Sequence, residues 1–201
     1  MGIIKDIKWI NAINRTGFKI TGAKTFGTAD GYAFEATLAK GATKLAVVSN
    51  GGYGGPDMVH LCDGPKMSVP AIKAVLAEFF ALPEVVSYCQ DHEMSLQEML
   101  LGDNRISQIE FEQKKAEILA KKPNVSEEML GYVVDDMRAN SEFVSKLKRK
   151  AKTHVMWVEK GKESGPNYVS VKLPDTPENR ARIEQKYKAT MGPYISDLLA
   201  A

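Results

Sequence analysis

The chain has little of what usually announces a function. Two cysteines, Cys62 and Cys89, lie far apart with no Cys-x-x-Cys spacing. That excludes a disulfide scaffold or a zinc ribbon and fits a reducing compartment, with both thiols expected as small buried apolar groups. The three histidines, His60, His92 and His154, show no metal-ligand spacing. No Gly-x-Ser-x-Gly elbow is present, and the Asp135-Asp136 pair alone is no two-metal site. No catalytic residue, metal ligand or cofactor is therefore assigned, and the reading leans away from an enzyme. No apolar run approaches the length needed to span a bilayer. Near the N-terminus, Lys5, Asp6 and Lys8 interrupt any signal-peptide core, and Asp6 stands where a myristoylation signal wants Ser or Thr. A cytoplasmic protein with no membrane association is expected. Charge of one sign is scarce overall, the formal net being +2, so any nucleic-acid role must rest on local clustering.

What is present suits a globular protein. Its 201 residues are 44% hydrophobic and 26% charged, enough for a sizeable core. Residues 3–14 carry isoleucines at helical spacing. Tyr32 to Leu38 alternate with period two, as do residues 44–49, where Leu45 and Val47 are expected on one face; residues 58–62 form a further strand. These predict an antiparallel meander. Ile72, Val75, Leu76, Phe79 and Phe80 mark a helix that begins near Pro70 and stops at Pro83. Further helices are predicted over 95–101 and 105–122, with Leu96, Met99, Leu100, Ile106, Ile109, Ile118 and Leu119 pointing inward and Pro123 as the stop. Ser126 should cap the next helix, with a break near Asn140. Strands at 154–159 and 168–173 form a hairpin. Thr176-Pro177-Glu178 starts a helix, and Gly192-Pro193 interrupts the closing helices. The fold class is α+β: an N-terminal antiparallel meander, central helices, then a C-terminal hairpin followed by helices. One compact domain over 1–201 with two sub-regions is expected, any boundary falling near 62–70.

The segment Asn50-Gly51-Gly52-Tyr53-Gly54-Gly55-Pro56-Asp57 holds four glycines within five residues, between two strands. Glycine serves where φ must be positive or another group comes close. A P-loop would continue into Lys-Ser/Thr, and a dinucleotide fingerprint into a helix; Pro56 and a strand follow instead. The loop reads as a forced connection in the meander. Asn50, Gly51, Gly52, Tyr53, Gly54, Gly55 and Asp57 remain the candidate contacts for a ligand or partner.

A second candidate is Lys146-Leu147-Lys148-Arg149-Lys150-Ala151-Lys152, in which five of seven residues are basic. At a helix C-terminus such cations oppose the negative end of the dipole and need no ligand. They also suit phosphates or an acidic protein, with Trp157 and Tyr168 as stacking surface. The acidic stretch from Asp91 to Glu112 reads as a solvated helix face.

The run Phe34-Glu35-Ala36-Thr37-Leu38, a short turn, and Val48 to Gly55 resembles a loose group of uncharacterised phage and prophage proteins with an Asn-x-Gly-x-Gly-Gly loop after a two-strand unit. The C-terminal part is similar too: a lysine-rich segment at 146–152, strands at 155–158 and 168–173, and a helix ending in Lys186-Tyr187. Gly51 and Pro56 depart from the group, which carries polar residues there. The resemblance implies a phage-encoded accessory protein acting in the host cytoplasm, and transfers no activity. The leading expectation is a protein that binds a host or phage protein, such as a defence or nucleic-acid-processing complex. The alternatives are nucleic-acid binding through Lys146, Lys148, Arg149, Lys150 and Lys152, and a small-ligand or nucleotide site at the glycine loop. Oligomeric state is not legible.

Overall fold

The structure, a computed structural model, describes residues 2–65, 67–121 and 126–201. In chain order the elements are α1 (Ile3–Arg15), β1 (Phe18–Thr28), β2 (Gly31–Lys40), β3 (Thr43–Asn50), β4 (Met58–Leu61), α2 (Val69–Phe80), α3 (Pro83–Gly102), α4 (Gln108–Ala120) and α5 (Glu127–Ala151). There follow β5 (Val155–Glu159), β6 (Val169–Val171), α6 (Pro177–Tyr187), β7 (Met191–Tyr194) and α7 (Ile195–Ala200). The fold is α+β. Two compact units divide the chain: Met1–Thr16 with Met137–Ala201, and Gly17–Asp136. The stretch 62–70 lies inside the second of these.

The second unit is built on an antiparallel sheet in the order β1-β2-β3-β4. β1 pairs along nearly its whole length, from Phe18 opposite Lys40 to Thr28 opposite Gly31, yet buries only Phe18. Its order comes from ladder hydrogen bonds rather than an apolar face, so period-two reading missed it. In β3 a bulge at Leu45 resets the alternation, and Leu45, Ala46 and Val48 are buried while Val47 is half-exposed. The expected pairing of Leu45 with Val47 on one face is corrected by that extra residue. Phe18 packs on Phe79 of α2 with ring centroids 5.0 Å apart.

Pro83 does not merely stop α2. It occupies the first turn of α3, where a missing N–H costs nothing. α3 therefore begins twelve residues before the predicted 95–101 segment and runs for 20 residues. It ends in a Schellman motif with Asn104 at φ 55°: Arg105 N–H donates to Leu100 O and Asn104 N–H to Leu101 O. Ser107 and Glu110 then cap α4 reciprocally. Leu96, Met99, Ile109 and Leu119, predicted inward, are all exposed. The Pro123 stop lies outside the described residues. Ser126 caps α5 as expected, accepting from Met129 N–H at 3.0 Å. α5 then runs unbroken to Ala151, so the expected break near Asn140 does not occur. Asparagine is only mildly unfavourable inside a helix.

In the first unit β5 is central, flanked by β6 and β7. Gly192-Pro193 forms part of β7 rather than a helix break. Val155, Trp157 and Ile183 form a core with Val169, Val171, Leu173, Tyr187, Met191 and Tyr194 against it. Thr176 caps α6, with Pro177 in the first turn. Arg180 ties this corner: its Nε and Nη2 reach Asp175 at 2.6 and 3.0 Å, Nη2 reaches Asp197 at 2.9 Å, and the guanidinium lies over Tyr194 at 4.2 Å. Among the described residues no helix is long and apolar enough to cross a membrane.

Candidate functional site

The glycine loop belongs to the second unit and is braced from within. Asn50 Oδ1 accepts from Gly52 N–H at 2.7 Å, while Asn50 Nδ2 donates to Gly55 O at 3.1 Å and Asp57 Oδ1 at 2.8 Å. One side chain thus closes the loop on itself, as Asx turns do. Thr28 Oγ1 adds a hydrogen bond to Gly52 O at 2.8 Å. Gly52 is buried at φ +74°, and a Cβ there would lie 2.7 Å from Thr28 Cγ2 and 2.8 Å from the Ala33 backbone nitrogen. The far end of the loop is seated on α5, where Gly131 leaves room for Asp57; a Cβ at 131 would meet the Asp57 Cβ and Oδ2 at 2.9 Å each. Of the polar groups proposed as contacts, Asn50 and Asp57 are therefore engaged in shaping the loop. Tyr53 is the side chain it presents, 79% exposed.

Two clefts flank the loop. One, of about 210 Å³, is lined by residues that include Asp30, Tyr32, Asn50, Asp57 and Asp135. The other, of about 470 Å³, is lined by Asn50, Gly55, Pro56, Asp57, Glu128 and Tyr132. Tyr32 Oη donates to Asp135 Oδ2 at 2.7 Å. The titratable wall is carboxylate on both sides. An anionic phosphate brought here would meet like charge, the reverse of a phosphate cradle.

The basic stretch lies in the first unit, in the last two turns of α5 and just beyond. Val144 and Leu147 are buried, which leaves Lys146, Lys148, Arg149 and Lys152 exposed. None of these four side chains forms a hydrogen bond or ion pair among the described residues. Lys150 differs: its Nζ is 3.4 Å from Tyr168 Oη and 4.9 Å from that ring's centroid. The five-residue patch thus resolves into one structural lysine and four free cations. Trp157, expected as stacking surface, is 1% exposed and is a core residue. Tyr168 is half-buried under Lys150.

Charge is segregated between the units. The first carries sixteen lysines and arginines against eight aspartates and glutamates, a net of +8. The second carries eleven against seventeen, a net of −6. Most of this is contiguous in sequence: the acidic unit is one unbroken segment, and residues 137–201 alone carry +6, to which residues 1–16 add +2.

Other titratable groups do not assemble into a centre. His92 sits between Tyr132 and Tyr88, with centroids 4.4 and 6.3 Å away. His60 is exposed on β4, and His154 Nδ1 pairs with Thr153 Oγ1 at 2.8 Å. Cys62 and Cys89 are both free thiols. Burial, with the Glu93 carboxylate, pushes the Cys89 thiol up to about 12; burial raises Cys62 as well. Among the described residues no group of three or more His, Cys, Asp or Glu is placed to hold a metal ion. Comparison of the chain with protein families, with characterised proteins and with solved structures finds no match.

Proposed function

We propose that the protein is a binding protein, of the phage accessory type its sequence resembles, whose basic unit docks on the phosphate backbone of nucleic acid. The observation that carries this reading is the set of free cations Lys146, Lys148, Arg149 and Lys152 within a unit of net +8. Here the excess is unit-wide, which raises local counterion and phosphate concentration. Binding of this kind releases condensed counterions, so affinity falls steeply with salt. If the four side chains each neutralise one phosphate, log K should fall against log salt with a slope of about −3.6 on duplex DNA.

Fluorescence anisotropy with labelled duplex and single strands over a salt series tests this. The wild type should bind at low salt, and replacing the four residues by glutamine should abolish most of the binding and flatten the slope. Lys150→Gln alone should change the slope little. Absence of binding at low salt refutes the reading.

Tyr53 favours a second reading. An exposed aromatic on a loop held in one conformation is the kind of residue that anchors a protein interface at small entropic cost. The carboxylates beside it suit a basic surface on a host or phage protein. Affinity capture from host or infected lysate, with Tyr53→Ala as control, tests it: a partner retained by the wild type and lost by the variant is expected. Equal recovery by both would exclude Tyr53 as the anchor.

A further inference from the structure

A site for single-stranded nucleic acid combines a track of cations for the backbone with open aromatic rings on which bases stack. The basic unit has the first and lacks the second. Its aromatic residues are Trp9, Phe143, Trp157, Tyr168, Tyr187 and Tyr194, and none of them is exposed. Trp9 and Trp157 are buried. The three half-buried tyrosines are each faced by a cation of their own chain. Lys150 Nζ lies 4.9 Å from the Tyr168 centroid, Lys186 Nζ 5.2 Å from that of Tyr187, and the Arg180 guanidinium 4.2 Å from that of Tyr194. Tyr187 also packs on Trp157, with ring centroids 5.5 Å apart. A base would have to displace these contacts before it could stack. Among the described residues the exposed aromatic rings are Phe26, Tyr32, Tyr53 and Tyr132. All four belong to the acidic unit, whose net of −6 repels phosphate.

The layout of the free cations favours two strands over one. Lys152, one residue past α5, is taken here as continuing the helical path. At about 100° per residue, Lys148, Lys152, Arg149 and Lys146 then follow one another round an arc of about 160°, on the side away from buried Val144 and Leu147. Lys148 and Lys152 stand toward one end of the arc, Arg149 and Lys146 toward the other. A single row of phosphates would have to bend round the helix to meet all four. The two rows that flank a groove can meet one pair each. Charge density fits as well. Residues 146–152 rise about 9 Å along the helix axis. Over that length a duplex presents about five phosphate charges, and one strand fewer than about three. Four cations match the duplex.

Building on nucleic-acid binding by these same cations, we propose that their ligand is a duplex, held through the phosphates of both strands, and that single strands bind weakly.

Fluorescence anisotropy of the full chain tests this, with a labelled duplex of about twenty base pairs and each of its strands alone, from about 50 to 200 mM salt. The strands are chosen free of self-pairing. At the lowest salt the duplex should bind at least tenfold more tightly than either strand. The slope of log K against log salt should be about −3.6 for the duplex and about −2 for a strand that meets three phosphates. Lys148→Gln/Lys152→Gln, and separately Lys146→Gln/Arg149→Gln, should each make the duplex slope shallower by about 1.8. All four sites are exposed, so circular dichroism should match the wild type. Single strands bound as tightly as the duplex, or a slope change confined to one of the two pairs, would overturn the duplex assignment and leave nucleic-acid binding standing. Absence of binding to every probe would refute nucleic-acid binding itself, and the duplex assignment with it.

Discussion

Replacing Gly52 by alanine puts a number on how tightly the glycine loop is built. Two costs add. At φ +74° an alanine pays about 1–2 kcal/mol for the left-handed backbone. Its Cβ would then stand 2.7 and 2.8 Å from Thr28 side-chain atoms and 2.8 Å from the Ala33 nitrogen, and an overlap of that kind costs about 1–3 kcal/mol. Against these, the unfolded chain loses freedom worth about 0.4–1 kcal/mol. The net is a destabilisation of about 2–4 kcal/mol. Gly54 is the matched control: its φ is +75°, but nothing lies within 4 Å of a Cβ there. Gly54→Ala should cost at most about 1.6 kcal/mol, the backbone term less the same gain. With a slope of about 2 kcal/mol per molar urea, the midpoint should fall by about 1–2 M for Gly52→Ala and by less than about 0.8 M for Gly54→Ala. Thr28→Ser, which removes the Cγ2 methyl and keeps the hydroxyl bonded to Gly52 O, should recover part of the loss but not all, because the Ala33 nitrogen cannot retreat. Far-ultraviolet circular dichroism is the appropriate signal, since Trp9 and Trp157 both belong to the first unit and none lies in the second. Equal midpoints for the two glycine variants would refute the steric argument and leave backbone conformation as the whole effect.

Two further outcomes are expected. The Asp175 carboxyl is held below its ordinary range, chiefly by its hydrogen bonds from Arg180. A depressed carboxylate contributes stability that is present above its unfolded value, near pH 4, and lost as pH falls further. Asp175→Asn should therefore cost about 1–2 kcal/mol at neutral pH and progressively less below pH 4, read by tryptophan fluorescence during urea unfolding; a cost unchanged at pH 3 would contradict the ion pair. For the cysteines, Cys89 is buried and its thiol raised to about 12, so at pH 8 a thiol reagent should modify Cys62 first and Cys89 only on unfolding. Equal rates for the two would show that α3 opens readily at Cys89.

Much of the fold was legible because the apolar periodicities are strong. The meander, the capped starts at Ser126 and Thr176, and the α+β order all follow from local rules. The failures have local causes too. β1 lacks an apolar face, so only its pairing partner reveals it. Pro83 was read as an end when it was also a beginning. Leu96, Met99, Ile109 and Leu119 fit a helical stripe, yet all four are exposed among the described residues, and periodicity cannot say whether a stripe is covered. At the candidate site the need for positive φ was readable from the glycines. The bracing by Asn50 is a short-range contact of a familiar kind. The seat of Asp57 on Gly131 was not readable, since it joins segments distant in sequence. The charge segregation could have been read by counting along the chain, since residues 17–136 carry −6 and 137–201 carry +6; the fold adds only the +2 of residues 1–16 to the basic unit.

That segregation sets which variables the molecule can sense. Lysine and arginine side chains ordinarily discharge above pH 10 and carboxylates below pH 5, so the sign of each unit holds across the whole physiological range. Histidine is the residue that usually links charge to mild acidity, and only one of the three belongs to the basic unit. Acidification of the kind met in an endosome or a fermenting cell would leave the polarity standing. Ionic strength acts differently, because at 0.15 M the field of an exposed charge decays over about 8 Å. A rise in salt concentration would mute both units at once, whereas acetylation of lysines in the basic unit would lower the charge of that unit alone.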